Sequence, residues 1–64
     1  EVMKNSKLAD TRKNSGLTQS YVAENVGITV TSYQRIEYGK QRPTLTTAIK
    51  IAEVLHSTVE ELFK

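Results

Sequence analysis

The sequence contains no cysteine, and its longest apolar runs are two or three residues. Without cysteine, neither a disulfide nor a thiolate metal site is available to support the fold. A membrane helix needs about 20 predominantly apolar residues and a signal peptide needs an apolar core of roughly 7–15, so the sequence predicts neither. We therefore expect a soluble cytoplasmic protein.

Histidine is almost as scarce, since His56 is the only one. With one histidine and no cysteine we predict no metal site, and the position of His56 near a helix end favours a capping role. Serine and threonine are plentiful, but they fall at predicted caps and turns, with no evident pair of a base and a group that orients it. We therefore expect no enzymatic activity and no cofactor.

A chain of 64 residues has room for one domain, which we assign to residues 1–64. A domain of this size buries roughly 60% of the surface that its unfolded chain exposes, so its core is small. Because no disulfide or metal contributes, packing between helices must hold the domain together, and dimerisation is a further source of support.

The net charge of +2 is small, but the charges are unevenly distributed. The basic residues concentrate in the first segment and around the middle of the chain: Lys4, Lys7, Arg12, Lys13, Arg35, Lys40 and Arg42. Acidic residues gather towards the C-terminus: Glu53, Glu60 and Glu61. This asymmetry is typical of a polyanion-binding module, although composition alone is equally compatible with ordinary solvated charge.

Local signals divide the chain into five helical segments, without the alternation that predicts strands. Thr18, Thr29 and Thr44 are suited to cap the second, third and fourth helices. Thr58 and Glu61 form a capping box before the fifth. The predicted segments cover about residues 4–14, 18–25, 29–38, 44–55 and 58–63. The sequence therefore predicts an all-α domain of five helices.

Residues 19–36 have the pattern of two short helices that meet at Gly27. Their apolar residues recur at spacings of three and four, where the two helices would touch: Val22, Ala23, Val26, Tyr33 and Ile36. Ala23 is small enough to let two backbones approach, and Gly27 can take the positive φ that a tight turn needs. Such a corner holds its second helix out from the domain, where it can enter a DNA major groove.

The fourth helix has the clearest amphipathic pattern. Its expected core face consists of Leu45, Ala48, Ile49, Ala52 and Leu55, widened by Ile51 and Val54. In the third helix, the spacing of Tyr33 from Ile36 places the tyrosine ring in the core, and we expect its hydroxyl at the rim.

Six short motifs follow one another along the chain: R-x-x-x-G-L-T-Q from Arg12, V-A-x-x-x-G-I from Val22, R-I-E-x-G-K from Arg35, P-T-L from Pro43, I-A-x-x-L from Ile51 and V-E-E-L-F from Val59. Their order and spacing resemble the phage-repressor and Cro type (XRE-like) of helix-turn-helix domain, over about residues 8–63. The resemblance implies a compact, lambda-repressor-like fold of five helices that binds operator DNA, usually as a dimer. The helix-turn-helix would cover about residues 18–38.

The resemblance also implies a role for individual residues, with the third helix as the recognition helix. Its groove-facing positions hold Thr29, Val30, Thr31 and Arg35, with Ser32 and Gln34 as lesser candidates. The DNA backbone would be contacted by Thr18, Gln19, Lys40 and Arg42. Gln19 would also brace the recognition helix. Arg12 and Glu37 would form a partly buried salt bridge that ties the first helix to the third.

The chemistry of the groove-facing residues agrees with these roles. The N-terminal turn of a recognition helix is the part that reaches base edges, and Arg35 lies one turn beyond Thr31 on the same face. A guanidinium can bond to guanine O6 and N7 together, which discriminates by roughly 1–3 kcal/mol. Val30 and the threonine methyl groups suit the methyl group of thymine.

We therefore predict a sequence-specific, double-stranded-DNA-binding transcriptional regulator, a repressor, that acts as a homodimer. It would be bacterial or phage-encoded, cytoplasmic, and associated with the nucleoid when bound. An alternative is a protein-interaction module, such as an antitoxin or adaptor, with aromatic anchors at Tyr21, Tyr33 and Tyr38. A non-specific nucleoid role is a third reading, against which the modest net charge argues.

Overall fold

The structure is a computed structural model that describes residues 6–63. It contains five α-helices: α1 (Ser6–Asn14), α2 (Gln19–Val26), α3 (Val30–Glu37), α4 (Leu45–Val54) and α5 (Val59–Phe63). No strand occurs in residues 6–63, so the all-α, five-helix prediction is confirmed. The predicted start of the first helix at Lys4 lies outside the described residues.

Threonine side chains begin four of the five helices. Thr18, Thr29, Thr44 and Thr58 each accept a hydrogen bond from the backbone N–H three residues further on, at 3.0 or 3.1 Å. Each bond satisfies an N–H group that has no partner within its helix, and such a cap contributes about 1 kcal/mol. The boundaries of α2 to α5 therefore follow largely from local chemistry.

The turn between α2 and α3 depends on Gly27. Its φ of 89° lies in the left-handed region, where the backbone reverses immediately after α2. The N–H groups of Gly27 and Ile28 both bond to the carbonyl of Ala23, at 2.9 and 3.1 Å. These bonds end α2 and set the angle at which α3 leaves it.

One core holds the helices together. Its buried members are Leu8 of α1, Val22, Ala23 and Val26 of α2, Tyr33 and Ile36 of α3, Ile51, Ala52 and Leu55 around α4, and Leu62 of α5. The second helix packs on both α3 and α4, while α1 packs on α5 and α3. The helix that follows the Gly27 turn is thus supported from behind by two others.

The predicted core face of α4 is wrong at one edge. Ala48 and Ala52 are buried as expected, but Leu45 is 72% exposed and Ile49 is 43% exposed. Ile51, which was expected only to widen the stripe, is fully buried. The reason is the direction from which α2 and α5 approach: they cover the side centred near Ile51, and Leu45 and Ile49 lie in a row at its border.

Replacing Gly27 with alanine tests the turn. A Cβ at this position would meet no other atom within 4 Å, so any loss comes from the left-handed backbone alone. We expect Gly27→Ala to lower the free energy of unfolding by about 1–2 kcal/mol, and Gly27→Asn to lower it less, because asparagine tolerates this conformation better. Urea denaturation measures both. Equal losses for the two variants would contradict this explanation.

Candidate nucleic-acid interface

One side of α3 is exposed and the other is buried. The exposed side carries the four predicted base-reading residues: Thr29, Val30, Thr31 and Arg35. The inner side packs into the domain through Tyr33, Ile36 and Glu37. Ser32 and Gln34 are half-buried. Because the inner side is fully used in packing, only the outer side can meet a ligand.

An open hollow lies on this outer side, lined by Thr31, Gln34, Arg35, Tyr38 and Lys40. The structure therefore brings Lys40, from the loop after α3, next to two of the predicted base-reading residues. Tyr38, which is 46% exposed, joins them although the motifs assigned it no role. Tyr38 is three residues after Arg35 and four after Gln34, and residues at these spacings share one face of a helix. The sequence therefore contained the information needed to predict that Tyr38 lies on this face.

The other residues predicted to contact the DNA backbone do not line the hollow. Arg42 is exposed in the loop between α3 and α4. Thr18 is exposed and accepts a hydrogen bond from the N–H of Tyr21 at 3.0 Å, so its oxygen already serves as a helix cap. Gln19, the first residue of α2, is half-buried.

A buried ion pair lies behind the exposed face. The Arg12 guanidinium donates through Nε to Glu37 Oε2 at 2.5 Å and through Nη2 to Oε1 at 3.4 Å. Its Nη1 donates to the carbonyl oxygen of Leu17 at 2.8 Å. Arg12 is 8% exposed and Glu37 is 4% exposed. The pair joins α1, the loop before α2, and the end of α3.

Two glutamine side chains extend this network to the surface. Gln19 donates through Nε2 to Glu37 Oε1 at 3.1 Å, and Gln34 donates through Nε2 to Gln19 Oε1 at 3.1 Å. We call this chain, from Arg12 through Glu37 and Gln19 to Gln34, the polar relay. It connects the first residue of α2 to both the buried end and the exposed face of α3. The relay thereby fixes α3 against α2 by directional bonds as well as by packing.

The electrostatics of the relay keep the ion pair charged. Burial by itself raises the pKa of Glu37, but the hydrogen bonds from Arg12 and Gln19 and the positive charge of Arg12 act against it, and the pKa lies below its ordinary value of 4.5. The hydrogen bond to Glu37 is also the main reason that the pKa of Arg12 is raised. Each partner therefore stabilises the charged form of the other.

Tyr33 departs from expectation at its hydroxyl. The residue is fully buried, and its hydroxyl is the one buried side-chain polar atom of the described residues that has no hydrogen-bond partner. Burial, and then the nearby Glu37 carboxylate, raises the pKa of this hydroxyl. The expected escape of the hydroxyl to the rim is wrong, because α3 packs too deeply. For the same reason Tyr33 is not available as an aromatic anchor for a partner protein, whereas Tyr21 and Tyr38 are about half exposed.

Residues 6–63 contain neither a metal-binding cluster nor a membrane-spanning helix. No group of three or more histidine, aspartate or glutamate residues there is arranged to hold a metal ion. None of the helices there has the length and apolar character needed to cross a bilayer.

Comparison with known proteins gives one consistent match. A family model described as helix-turn-helix matches residues 8–62. The chain is 39% identical over 56 residues to the cryptic phage CTXphi transcriptional repressor RstR of Vibrio cholerae, covering 88% of this chain and 50% of that one. It is 34% identical over 58 residues to an uncharacterised HTH-type transcriptional regulator of Archaeoglobus fulgidus, covering 91% and 83%. The chain thus spans half the length of the Vibrio repressor.

A solved structure agrees in fold. The restriction-modification controller protein C.AhdI of Aeromonas hydrophila superposes with a TM-score of 0.85 at 27% sequence identity. The superposition covers 92% of this chain and 89% of the controller protein. The agreement therefore extends over the whole five-helix arrangement and is not confined to the two helices of the corner.

Because the pKa of Glu37 is lowered in the folded protein, the free energy of unfolding should decrease at acidic pH. A carboxylate with a depressed folded pKa contributes stability that is present above its unfolded pKa and lost as the pH falls through the folded value. We expect carbon-13 NMR of the Glu37 carboxyl to show a titration midpoint below 4.5, with stability falling in the same range. Gln19→Ala removes one of the hydrogen bonds that lower this pKa, so it should move the midpoint upward. A midpoint at or above 4.5 in the unmodified chain would refute the assignment.

The unpartnered Tyr33 hydroxyl gives a second prediction. Tyr33→Phe keeps the ring and removes a buried polar atom that has no partner, so the free energy of unfolding should stay the same or rise by up to about 1 kcal/mol. Tyr33→Leu, which also removes the ring, should lower it by more than 1 kcal/mol through loss of packing. Thermal unfolding followed by circular dichroism measures both. A clear loss in the phenylalanine variant would mean that the hydroxyl has a partner after all.

Proposed function

The chain belongs to the helix-turn-helix family, and from that membership we propose that it is a transcriptional repressor that binds double-stranded operator DNA by inserting α3 into the major groove. One observation carries this most directly. The exposed side of α3 lies beside a basic loop, and the hydrogen bonds of the polar relay join α3 to α2. The related repressor of the Vibrio phage supports a phage- or bacterium-encoded, cytoplasmic protein.

Base reading is assigned to the exposed residues of α3. Thr29, Val30 and Thr31 reach base edges from the first turn, where Val30 and the threonine methyl groups meet thymine methyls. The Thr29 oxygen accepts from the N–H of Ser32 at 3.1 Å, which leaves its hydroxyl hydrogen to donate. Arg35, one turn further along α3, donates hydrogen bonds from its two terminal nitrogens to O6 and N7 of a guanine.

The two lesser candidates for base reading, Gln34 and Ser32, differ in their surroundings. Gln34 gives an amide N–H to Gln19, so in this proposal it positions α3 and contributes less to base reading. Ser32 is half-buried at the border of the exposed face and is kept as a secondary contact. Removal of either should weaken discrimination less than removal of Arg35.

Backbone contacts come from both sides of α3. Lys40 and Arg42 follow it in an exposed loop, and their charges attract phosphates without reading sequence. On the other side, the N-terminus of α2 presents backbone N–H groups and a positive dipole end beside Thr18. Gln19 uses one amide hydrogen for Glu37 and has a second for a phosphate oxygen.

The size of the domain favours a homodimer. Its longest dimension is 28 Å, whereas successive major grooves on one side of a duplex are about 34 Å apart. One copy therefore reads one half-site, and two copies related by a twofold axis read a palindromic operator. Each phosphate contact releases counterions, so the affinity should fall as salt rises.

Two single substitutions separate base reading from phosphate binding. The operator is first obtained by selection from a random duplex library, and binding is then measured by fluorescence anisotropy. Arg35→Ala should reduce the preference for the selected duplex over a scrambled one by about 1–3 kcal/mol. Lys40→Ala should weaken binding to both duplexes alike and reduce the dependence of log affinity on log salt by about one contact.

A control variant and two possible results test the predictions for Arg35 and Lys40. Lys50→Ala, which likewise removes one positive charge but at an exposed residue of α4, serves as a control for altered net charge. Equal losses of preference in the Arg35 and Lys40 variants would remove the base-reading role from Arg35. A selection that enriches no motif would refute sequence-specific binding as a whole.

A further inference from the structure

Tyr38 is exposed beside the proposed DNA contacts but is not one of them. Its side chain lines the hollow that Arg35 and Lys40 also line. It lines a second hollow as well, which reaches α1 and includes Gln19. Of the described residues, Tyr38 is the one that lines both. Tyr38 thus shares one hollow with Lys40 and the other with Gln19, two residues proposed to contact phosphates.

The backbone around Tyr38 is held by a hydrogen-bonded helix end. Tyr38 is the C-cap of α3, and Gly39 follows it with a left-handed φ of 75°. The N–H of Gly39 donates to the carbonyl of Ile36 at 3.1 Å. The N–H of Lys40 donates to the carbonyl of Arg35 at 2.8 Å. These two bonds form a Schellman motif, so a defined turn positions both Tyr38 and Lys40 at the end of α3.

The two hollows differ in charge. The described residues that line the first include two cations, Arg35 and Lys40, and no carboxylate. The second hollow has two cations but also the carboxylates of Asp10 and Glu37. An anion is therefore attracted more strongly to the first hollow. Because a tyrosine hydroxyl can donate one hydrogen bond, an anionic oxygen in the first hollow is the acceptor that suits Tyr38.

The position of Tyr38 along α3 favours a phosphate over a base as that acceptor. In the proposed function, Thr31 reaches base edges from the first turn of α3. Tyr38 is seven residues later, about 10 Å further along the helix axis. Because the N-terminal turn is the part that contacts base edges, the far end of the helix lies towards the phosphates that border the groove.

We propose that Tyr38 contacts the DNA backbone, and that its hydroxyl donates a hydrogen bond to a phosphate that Lys40 also contacts. The proposal rests on the proposed DNA-binding function and adds to it a contact of a different kind. Arg35 reads a base and Lys40 attracts phosphate by its charge, whereas Tyr38 is a neutral donor. A neutral donor to phosphate releases no counterion and carries no sequence information. Loss of the hydroxyl should therefore lower affinity without changing either sequence preference or salt dependence.

Fluorescence anisotropy with the selected and the scrambled duplex tests this combination of effects. The test variant is Tyr38→Phe. The matched control is Tyr21→Phe, which removes the same hydroxyl from a tyrosine that is also about half exposed but lines neither hollow. Tyr38→Phe should weaken binding to both duplexes by about three- to tenfold, the value of one hydrogen bond, while the control should bind as the unmodified chain does. The slope of log affinity against log salt should be the same in all three proteins. Thermal unfolding should be alike in both variants, because neither side chain is buried.

A duplex with one neutral phosphate locates the contact. Single phosphates of the duplex are replaced in turn by methylphosphonate, which removes the negative charge. At one position the replacement should weaken the unmodified chain more than it weakens Tyr38→Phe, by about threefold, because the variant has no hydroxyl to lose. The same position should also be coupled to Lys40→Ala. If Tyr38→Phe and the unmodified chain respond alike at every position, the hydroxyl contacts no phosphate and the proposal is wrong.

The same measurements distinguish this inference from the proposed function. If no sequence is selected but Tyr38→Phe binds every duplex more weakly than Tyr21→Phe does, sequence-specific binding fails and the inference stands. If sequence-specific binding is present and the two variants bind equally, the inference fails alone. A loss of sequence preference in Tyr38→Phe as large as that in Arg35→Ala would mean that the tyrosine acts through Arg35. That result would also overturn the phosphate contact.

Discussion

The ion pair between Arg12 and Glu37 is the interaction on which the rest of this structure depends. Both charges are nearly removed from water, which costs several kcal/mol per ion unless the pair is well bonded. Here Arg12 places its three nitrogens on Glu37 and the Leu17 carbonyl, and Glu37 receives a further bond from Gln19. The cost of burial is thereby offset, and the lowered pKa of Glu37 keeps the pair ionised at neutral pH.

What the pair gains for the protein is orientation. The hydrophobic effect is not directional, so by itself it does not select one orientation of the eight-residue helices α2 and α3. The polar relay supplies bonds with defined distances and angles between α1, α2 and α3. Its last member, Gln34, lies on the border of the exposed face, so the same bonds that fix the buried end of α3 also fix the turn that carries Arg35. The base-reading role proposed for α3 requires support of this kind.

The division of α3 into two faces connects folding with function. Tyr33 and Ile36 pack in the core, and Glu37 forms the ion pair. Substitutions at these three positions would therefore disturb the fold, whatever ligand the exposed face binds. The outer positions have no structural duty apart from the cap at Thr29, so in the proposed function they are free to match a DNA sequence. On α4 the same reasoning leaves Leu45 and Ile49 outside the core.

Local chemistry was enough to predict the helices and the corner of this protein. These predictions used threonine caps, the left-handed Gly27 and the spacing of apolar residues. Each of these features acts within a few residues of the chain, so it can be recognised from the sequence alone. The motifs extended that reading to the helix-turn-helix family and to the residues proposed to contact DNA. Three features could not be predicted from the sequence: the burial of the Tyr33 hydroxyl, the exposure of Leu45 and Ile49, and the hydrogen bond from Gln34 to Gln19. Each depends on the angle and depth at which one helix meets another, and periodicity along a single helix contains no information about where its neighbours stop.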